Sequence, residues 1–495
     1  MNRKEIYIPT ESEVRTAYRE GEEAVVSLFH RVSETISQLA DRIQALEDRL
    51  ATDSHNSGKP PSSDGYIKPA PKSLRKRHKK KKNGGQPGHS GNTLQMVPNP
   101  DRVDVHRMWQ CRHCRVSLEE VAVHSVEKRQ VFDIPPVKME VTEHRAEIKV
   151  CPHCGTRNKA DFPEGVSQTV EYGLEFKTQV AYFKDYQFVA VERICEMMED
   201  FYGHRPSEGT VLRISLEGAE RVRPVQEAVR EYLKSPVLAT VTHHDETGMR
   251  VEGKTCWLHT ASTEFLTLYV VHAKRGQTAM DAMGVLPSRK GIAMHDCWKP
   301  YFAYPDVIHA LCNAHLLREL IFVQEQYGQR WAEDMIALLL KMKTAADKVR
   351  GKRDTLLGRQ VQEYERRYDE ILRAGFRKNP KRRRAGEEEG KRGRVGQSKP
   401  RNLLGRMREH KNAILLFLRD LHVPFDNNQA ERDIRMVKVK QKVSGGFRSW
   451  EGSRAFCLIR GYISTARKNG QRALAAMRLA YAGTPFKPGF LLQPG

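Results

Sequence analysis

The stretch VLATVTHHDETG, residues 237–248, decides the fold when it is read together with GIAMHDCWKPYF at 291–302. Each is a short apolar run closing on a His-Asp pair, which is how a buried strand ends at a polar sheet edge. They predict strands ending on Asp245 and on Asp296. Between them, KTCWLHTAST (254–263) and FLTLYVVHAKR (265–275) read as two further strands of an antiparallel meander. QTAMDAMGVL (277–286) reads as a helix, and DVIHALCNAHLLREL (306–320) as a strand running into a helix. The expected product is an α/β layered sheet with an aspartate at the C-terminal end of its first and of its fourth strand.

Two carboxylates on adjacent strand ends can ligate a pair of divalent ions. Phosphodiester chemistry needs that arrangement, with hard oxygen ligands and metals about 3.5–4 Å apart. A third carboxylate is expected on a helix, and VPFDNNQAERDIRMVK (423–438) supplies one. Asp426 or Asn427 can cap that helix, and Glu431 lies one turn in, with Arg432 and Arg435 beside it. Asp433 is near enough to compete with Glu431 for the role. Any one such aspartate is more often a solvated or capping residue, but three carboxylates in strand, strand, helix order are harder to dismiss.

Outward from this centre, the charge is unevenly placed. The chain's 495 residues hold 84 Lys+Arg against 61 Asp+Glu, a net +23. Residues 66–83, 376–401 and 432–472 carry net charges of +9, +8 and +9, which leaves the rest near −3. A near-neutral body with three basic segments points to a polyanionic partner. Arg75, Lys76, Arg77, Lys79, Lys80, Lys81 and Lys82 form the densest run, and they sit in a Ser/Gly/Pro-rich stretch that cannot bury apolar area. The reading is a disordered basic linker over 52–98 whose binding to phosphates falls steeply with salt. Arg432, Arg435 and Lys438 are the corresponding candidates beside Glu431. Phe447 and Trp450 in VSGGFRSWEGSR either stack on a splayed base or pack under the sheet.

Val25, Phe29, Val32, Ile36, Leu39, Ile43, Leu46 and Leu50 recur at steps of 4 and 3. Residues 25–50, within a first domain over 1–51, are therefore read as a coiled-coil helix that joins copies of the chain into a homo-oligomer, the alternative being an amphipathic helix lying on the protein's own body. Cys111-x-x-Cys114 and Cys151-x-x-Cys154 are two thiolate knuckles separated by 36 residues, with strand-like sequence between them. They predict a structural Zn²⁺ ribbon over 99–165. Residues 166–235 show helix, Gly-containing turn and helix, with Val191, Ile194, Cys195 and Met198 on one face and Ser207 as an N-cap. That is a helix-turn-helix pattern, which ordinary helical bundles also show. No apolar run approaches the roughly 20 residues of a membrane span. The start lacks a signal peptide's apolar stretch, so a cytoplasmic, nucleoid-associated protein is expected. No GxxxxGK[ST] is present, which argues against an ATP-driven motor.

These stretches carry a resemblance. In order along the chain, the heptad helix, NSGKPPSSDG, GGQPGHSGNTL, CPHCG, the helix-turn-helix, HDETG, HDCWKPYF, CNAHLLREL and FDNNQAERDIR are similar to those of bacterial insertion-sequence-66 family transposases. The resemblance runs from about residue 25 to 475. It implies an RNase H-like catalytic domain over 236–324 and 402–480, with a helical insertion and basic linker over 325–401. It also implies a catalytic triad of the DDE type on Asp245, Asp296 and Glu431, served by Mg²⁺ or Mn²⁺ and acting on the element's terminal repeats and on target DNA. Cys312 and His315 match a CxxH that follows the fourth strand in several such proteins; stabilising the site, touching DNA and simple core packing all stay open for them. Two departures stand out, a longer and more charged insert at 379–401 and Ser464 where Glu is common. A catalytically inactive DNA-binding protein and a nuclease that cuts without joining are the competing functions.

Overall fold

The structure, a computed structural model, describes residues 7–53, 55–57, 94–135, 137–163, 165–382 and 396–491. The basic run from Arg75 to Lys82 and half of the second basic segment, residues 383–395, lie outside the described residues. Two helices open the chain, α1 (Glu11–Glu20) and α2 (Glu22–Leu50). A short hairpin follows, β1 (Ile148–Val150) with β2 (Arg157–Lys159), and then three helices, α3 (Leu174–Ala181), α4 (Val191–Tyr202) and α5 (Glu208–Lys234). The sheet region comprises β3 (Val241–Val251), β4 (Lys254–Ser262), β5 (Thr267–His272), α6 (Gln277–Met283), β6 (Ile292–His295) and β7 (Ile308–Leu311). Four helices follow, α7 (Asn313–Tyr327) running into α8 (Arg330–Val349), α9 (Gly358–Lys378) and α10 (Lys399–Glu409), with α8 and α9 lying in the insertion expected over 325–401. The chain closes with α11 (Lys411–Arg419), α12 (Asn428–Ser444), α13 (Trp450–Lys468) and α14 (Ala473–Tyr481).

The five-stranded sheet has the order β5-β4-β3-β6-β7, with β3, β4 and β5 antiparallel and β6 and β7 parallel to β3. Strand β3 differs from expectation: it runs on past Asp245 to Val251, because Val251 pairs with Lys254 across a two-residue turn. Both turn residues have positive φ, Glu252 at 50° and Gly253 at 73°, the twist that tight hairpins require. Asp245 therefore lies mid-strand, but only on one side. Pairing of β3 with β6 stops at His243 and Met294, so Asp245 and Asp296 each stand two residues beyond the last parallel pair.

Alternation along the strands sorts the sheet into two faces. Met249, Leu258 and Val271 pack on Ile434 of α12 and Phe456 of α13. Residues of the opposite register, Ala261 and Leu268, pack on Val229 and Leu233 of α5. Packing also crosses the boundaries expected at 235/236 and 401/402. Ile194, Cys195, Met198 and Val211 of α4–α5 share one core with Ile459 and Tyr462 of α13 and Met477 of α14. Ser207 caps α5 as expected, its hydroxyl accepting from the Thr210 amide. Leu403 and Met407 of α10 and Leu415 and Leu418 of α11 pack with α8, α9 and strand β6 residues Ile292 and Met294.

At the N-terminus, α2 leaves most of its heptad stripe exposed, Phe29 by 70 % and Ile36 by 60 %. Its last turns dock on the insertion: Tyr327 donates to Asp48 (2.7 Å) and Arg382 pairs with Asp41 (2.7 Å). No helix among the described residues is long and apolar enough to cross a membrane.

Candidate active site and metal-binding groups

Alternation puts Asp245 on the sheet face that α12 covers, and Glu246 on the other. The parallel register puts Asp296 on Asp245's side. Burial raises the Asp245 carboxyl well above its ordinary range, and the charges of Glu246 and Asp296 push it further in the same direction. Burial, then Glu246, holds the Asp296 carboxyl up at about 6. Among the described residues no cationic group lies within ion-pair distance of either aspartate. Like charges are thus crowded, and Arg275, which pulls Asp296 down from beyond ion-pair distance, is itself paired to Glu246, a situation that a bound cation relieves.

Glu246 was not singled out from the sequence. Its side chain is almost fully buried, accepts from Arg275 (2.6 Å) and from the Tyr301 hydroxyl (2.6 Å), and Arg275 itself lies over Trp298. Its charge is already matched, unlike that of Asp245.

Helix α12 brings the third carboxylate. Of the two capping candidates, Asn427 stands at the N-cap position but its side chain does not cap, while the Asp426 carboxylate accepts from the first helical amide, that of Asn428 (3.3 Å). The Asn427 Nδ2 donates to the His244 carbonyl (2.8 Å), and its Oδ1 accepts from His243 Nδ1 (2.8 Å). The Asn427 amide donates to Cys312 Sγ (3.2 Å). One buried side chain therefore ties the start of α12 to the strand that carries Asp245. Asn427→Ala leaves a buried imidazole N–H and a buried carbonyl unpaired, at a cost of about 1–3 kcal/mol. It is expected to lower the urea midpoint accordingly, and an unchanged midpoint would show that this tie does not hold α12 to β3.

Glu431 and Asp433 separate cleanly. Asp433 is buried and pairs with Lys468 of α13 (2.8 Å), with Gln429 as a second partner (3.1 Å), so it holds two helices together. Glu431 points the other way, toward α7. Its Oε1 is 3.6 Å from both His315 Nε2 and Arg318 Nη2, and as a buried atom it has no hydrogen-bond partner among the described residues. Burial raises this carboxyl, while Arg318 pulls it down. Cys312, His315 and Glu431 form the one group of three or more potential metal ligands among the described residues, all ligand atoms lying within 4.8 Å of one another. Asp245, Asp296 and Glu431 are not gathered that closely.

The proposed DNA contacts divide as well. Arg432 and Arg435 are exposed on α12. Lys438 donates to the Gly248 carbonyl (2.6 Å), so its ammonium ties α12 to β3 and is half-buried. Phe447 takes the packed alternative: it stacks near Phe456 at 5.1 Å, and its backbone pairs with Arg250 (2.8 Å).

The two CxxC knuckles have the same local fold. The Arg115 amide donates to the Cys111 carbonyl (3.0 Å) and the Gly155 amide to the Cys151 carbonyl (2.9 Å). Arg115 and Gly155 both sit at positive φ, 61° and 72°. Backbone amides of Cys114 and His113 lower the Cys111 thiol, and the Thr156 hydroxyl lowers Cys154. One thiol of each pair is therefore shifted toward the thiolate that a zinc knuckle requires. The two pairs themselves do not gather into one group.

A model described as zinc-finger binding domain of transposase IS66 matches residues 109–155, which supports a structural Zn²⁺. A family of unknown function matches residues 7–95. Comparison with curated proteins returns no match. The model of the Transposase IS66 family matches residues 170–455, more than half of the chain and all of the sheet, α12 and the insertion between them; the chain belongs to that family of transposases.

Proposed function

We propose that this transposase cuts and joins DNA at the ends of its element, with Asp245, Asp296 and Glu431 as the ligands of catalytic Mg²⁺ or Mn²⁺. The observation that carries this reading is the pair of buried aspartates on one sheet face, neither in an ion pair among the described residues, with α12 laying Glu431 across the same end. The strand order, three antiparallel strands followed by two parallel ones, supports an RNase H-like catalytic domain. When bound, the metal would activate the attacking oxygen and stabilise the leaving one. The protein's own groups hold and orient. Asp245 and Asp296 are fixed by the sheet, Asn427 sets the helix that bears Glu431, and Arg432 and Arg435 face the solvent side where a phosphate backbone would lie. Water first displaces a 3′ oxygen from phosphorus at the element end. The freed 3′ hydroxyl then attacks a target phosphodiester and forms a new bond as a target 3′ oxygen leaves.

Cys111, Cys114, Cys151 and Cys154 are the ligands proposed for the structural zinc, and Arg75 to Lys82 the residues that track the DNA backbone. Labelled terminal-repeat DNA incubated with a target plasmid and Mg²⁺ tests the function directly. Joined product is expected; cleavage with no joining, under conditions in which the ends are bound, would replace this reading with a nuclease. The exposed stripe on α2 supports self-association through that helix. Ile36→Glu with Ile43→Glu is expected to lower the mass measured by light scattering, and an unchanged mass would place the oligomer contact elsewhere.

A further inference from the structure

The CxxH after the last strand and the carboxylate on α12 meet in a way that the transposition reading leaves unused. Cys312 is the N-cap residue of α7, and its sulfur accepts from the Asn427 amide at 3.2 Å, with the amides of His315 and Ala314 acting on the same atom. Those donors favour the thiolate form, while burial holds the thiol up at about 12, so the metal would have to displace a proton there. His315 follows one turn later on the same helix, and Glu431 enters from α12 with a buried oxygen that has no hydrogen-bond partner among the described residues. The His315–Glu431 separation of 3.6 Å is close to the ligand–ligand edge of about 3.3–3.8 Å expected for tetrahedral zinc. With every ligand atom within 4.8 Å of the others, closure needs shifts of at most about 1 Å. A cavity of about 240 Å³, lined by Cys312, His315, Asp296, Glu319 and Arg406, adjoins the group and offers both an entry path and room for a fourth ligand. A cation is already drawn to the spot: Arg318 lies 3.6 Å from the Glu431 oxygen, and its other nitrogen reaches the Ser57 carbonyl at 3.4 Å, a contact that leaves it somewhere to go.

We propose that Cys312, His315 and Glu431 bind a soft divalent cation of the zinc class, distinct from the zinc of the CxxC knuckles and from the catalytic magnesium. Thiolate and imidazole select zinc-class ions, whereas magnesium takes oxygen ligands. Three protein ligands with one open position is the pattern of an accessible zinc site, not of a closed structural one. A consequence rests on the triad reading: Glu431 cannot serve both sites in one geometry, so a filled soft site draws it away from Asp245 and Asp296.

The test is a metal count on full-length protein stripped by chelator, reloaded with Zn²⁺ and freed of loose ions. The wild type is expected to retain one zinc per chain more than Cys312→Ala does, whatever the knuckles hold. His315→Ala, which keeps the sulfur and its hydrogen bond, guards against a folding defect and is expected to weaken Zn²⁺ binding at this site by at least about tenfold. In a variant with serine at all four knuckle cysteines, Co²⁺ should still give a thiolate charge-transfer band, and adding Cys312→Ala should abolish it. Equal zinc in wild type and Cys312→Ala, or a cobalt band indifferent to both Cys312 and His315, would overturn the site. Asp245→Ala separates the two readings: it leaves the zinc count unchanged, and its effect on joining bears on the triad alone.

Discussion

Asp296→Asn is expected to reduce strand joining by a factor on the order of 10³ or more, and at the same time to raise the melting temperature of the metal-free protein. The two effects share one cause. Burial and the neighbouring Glu246 hold the Asp296 carboxyl at about 6, against an ordinary value near 3.8. A carboxyl raised by folding binds its proton more tightly in the folded state. Its charge therefore costs nothing below the unfolded value, a penalty grows as pH rises between those two values, and it stays constant above about 6. At pH 8 the penalty is full, and removing the charge recovers up to about 3 kcal/mol, or a few °C. Mg²⁺ should offset the same penalty, stabilising the wild type but not Asp296→Asn. It competes with the proton, so metal affinity and joining should both fall as pH drops below about 6. Thermal melts with and without Mg²⁺, paired with the joining assay, read all of this. A variant that joins DNA within tenfold of wild type, or that melts lower than wild type without metal, would remove Asp296 from the metal site.

Much of this centre was readable in advance for a physical reason. Strands buried on both faces are written as apolar runs, and the polar residue that follows each run lies where the pairing of β3 with β6 has stopped, so Asp245 and Asp296 stood out although β3 itself continues to Val251. Glu431 stood out because its helix begins at a turn signal. What stayed hidden depends on partners far away in the chain. Asn427 looks like a cap in sequence, and only the approach of β3 shows that its side chain is used on His243 and His244 instead. Glu246 reads as one more acid beside Asp245 until Arg275 and Tyr301 arrive from 29 and 55 residues away. Asp433 and Glu431 are indistinguishable by spacing, and Lys468 separates them. Arg289 gave no signal at all, yet it is buried and donates to carbonyls of Leu233 and Ile292, tying α5 to the start of the sheet. The amphipathic pattern of α4 and α5 shows which faces are apolar, but it cannot name α13 and α14 as what covers them.

Removing zinc is expected to have the other large effect, confined to the segment before the sheet. Among the described residues from 94 to 172 none is buried, and regular pairing there amounts to one hairpin with two three-residue strands. Such a hairpin is marginal alone, and Val103, Val123, Val131 and Val141 are all more than 70 % exposed, so apolar burial within the segment supplies little of its order. Metal binding can supply it: a structural zinc in a small domain contributes an apparent 10–16 kcal/mol or so near pH 7. The two knuckles are locally formed but not gathered around one point, so loading should draw them together and order the chain between them. Chelation, or Cys111→Ser with Cys154→Ser, is therefore expected to speed proteolysis across 94–172 by about 100-fold or more, the equivalent of only about 3 kcal/mol of that binding energy. The region from α3 to α14 should stay intact under the same protease, because its cores contain none of the four cysteines. Equal cleavage of the loaded and stripped proteins would show that zinc is not what orders this segment, and would leave a partner surface, such as bound DNA, as the source.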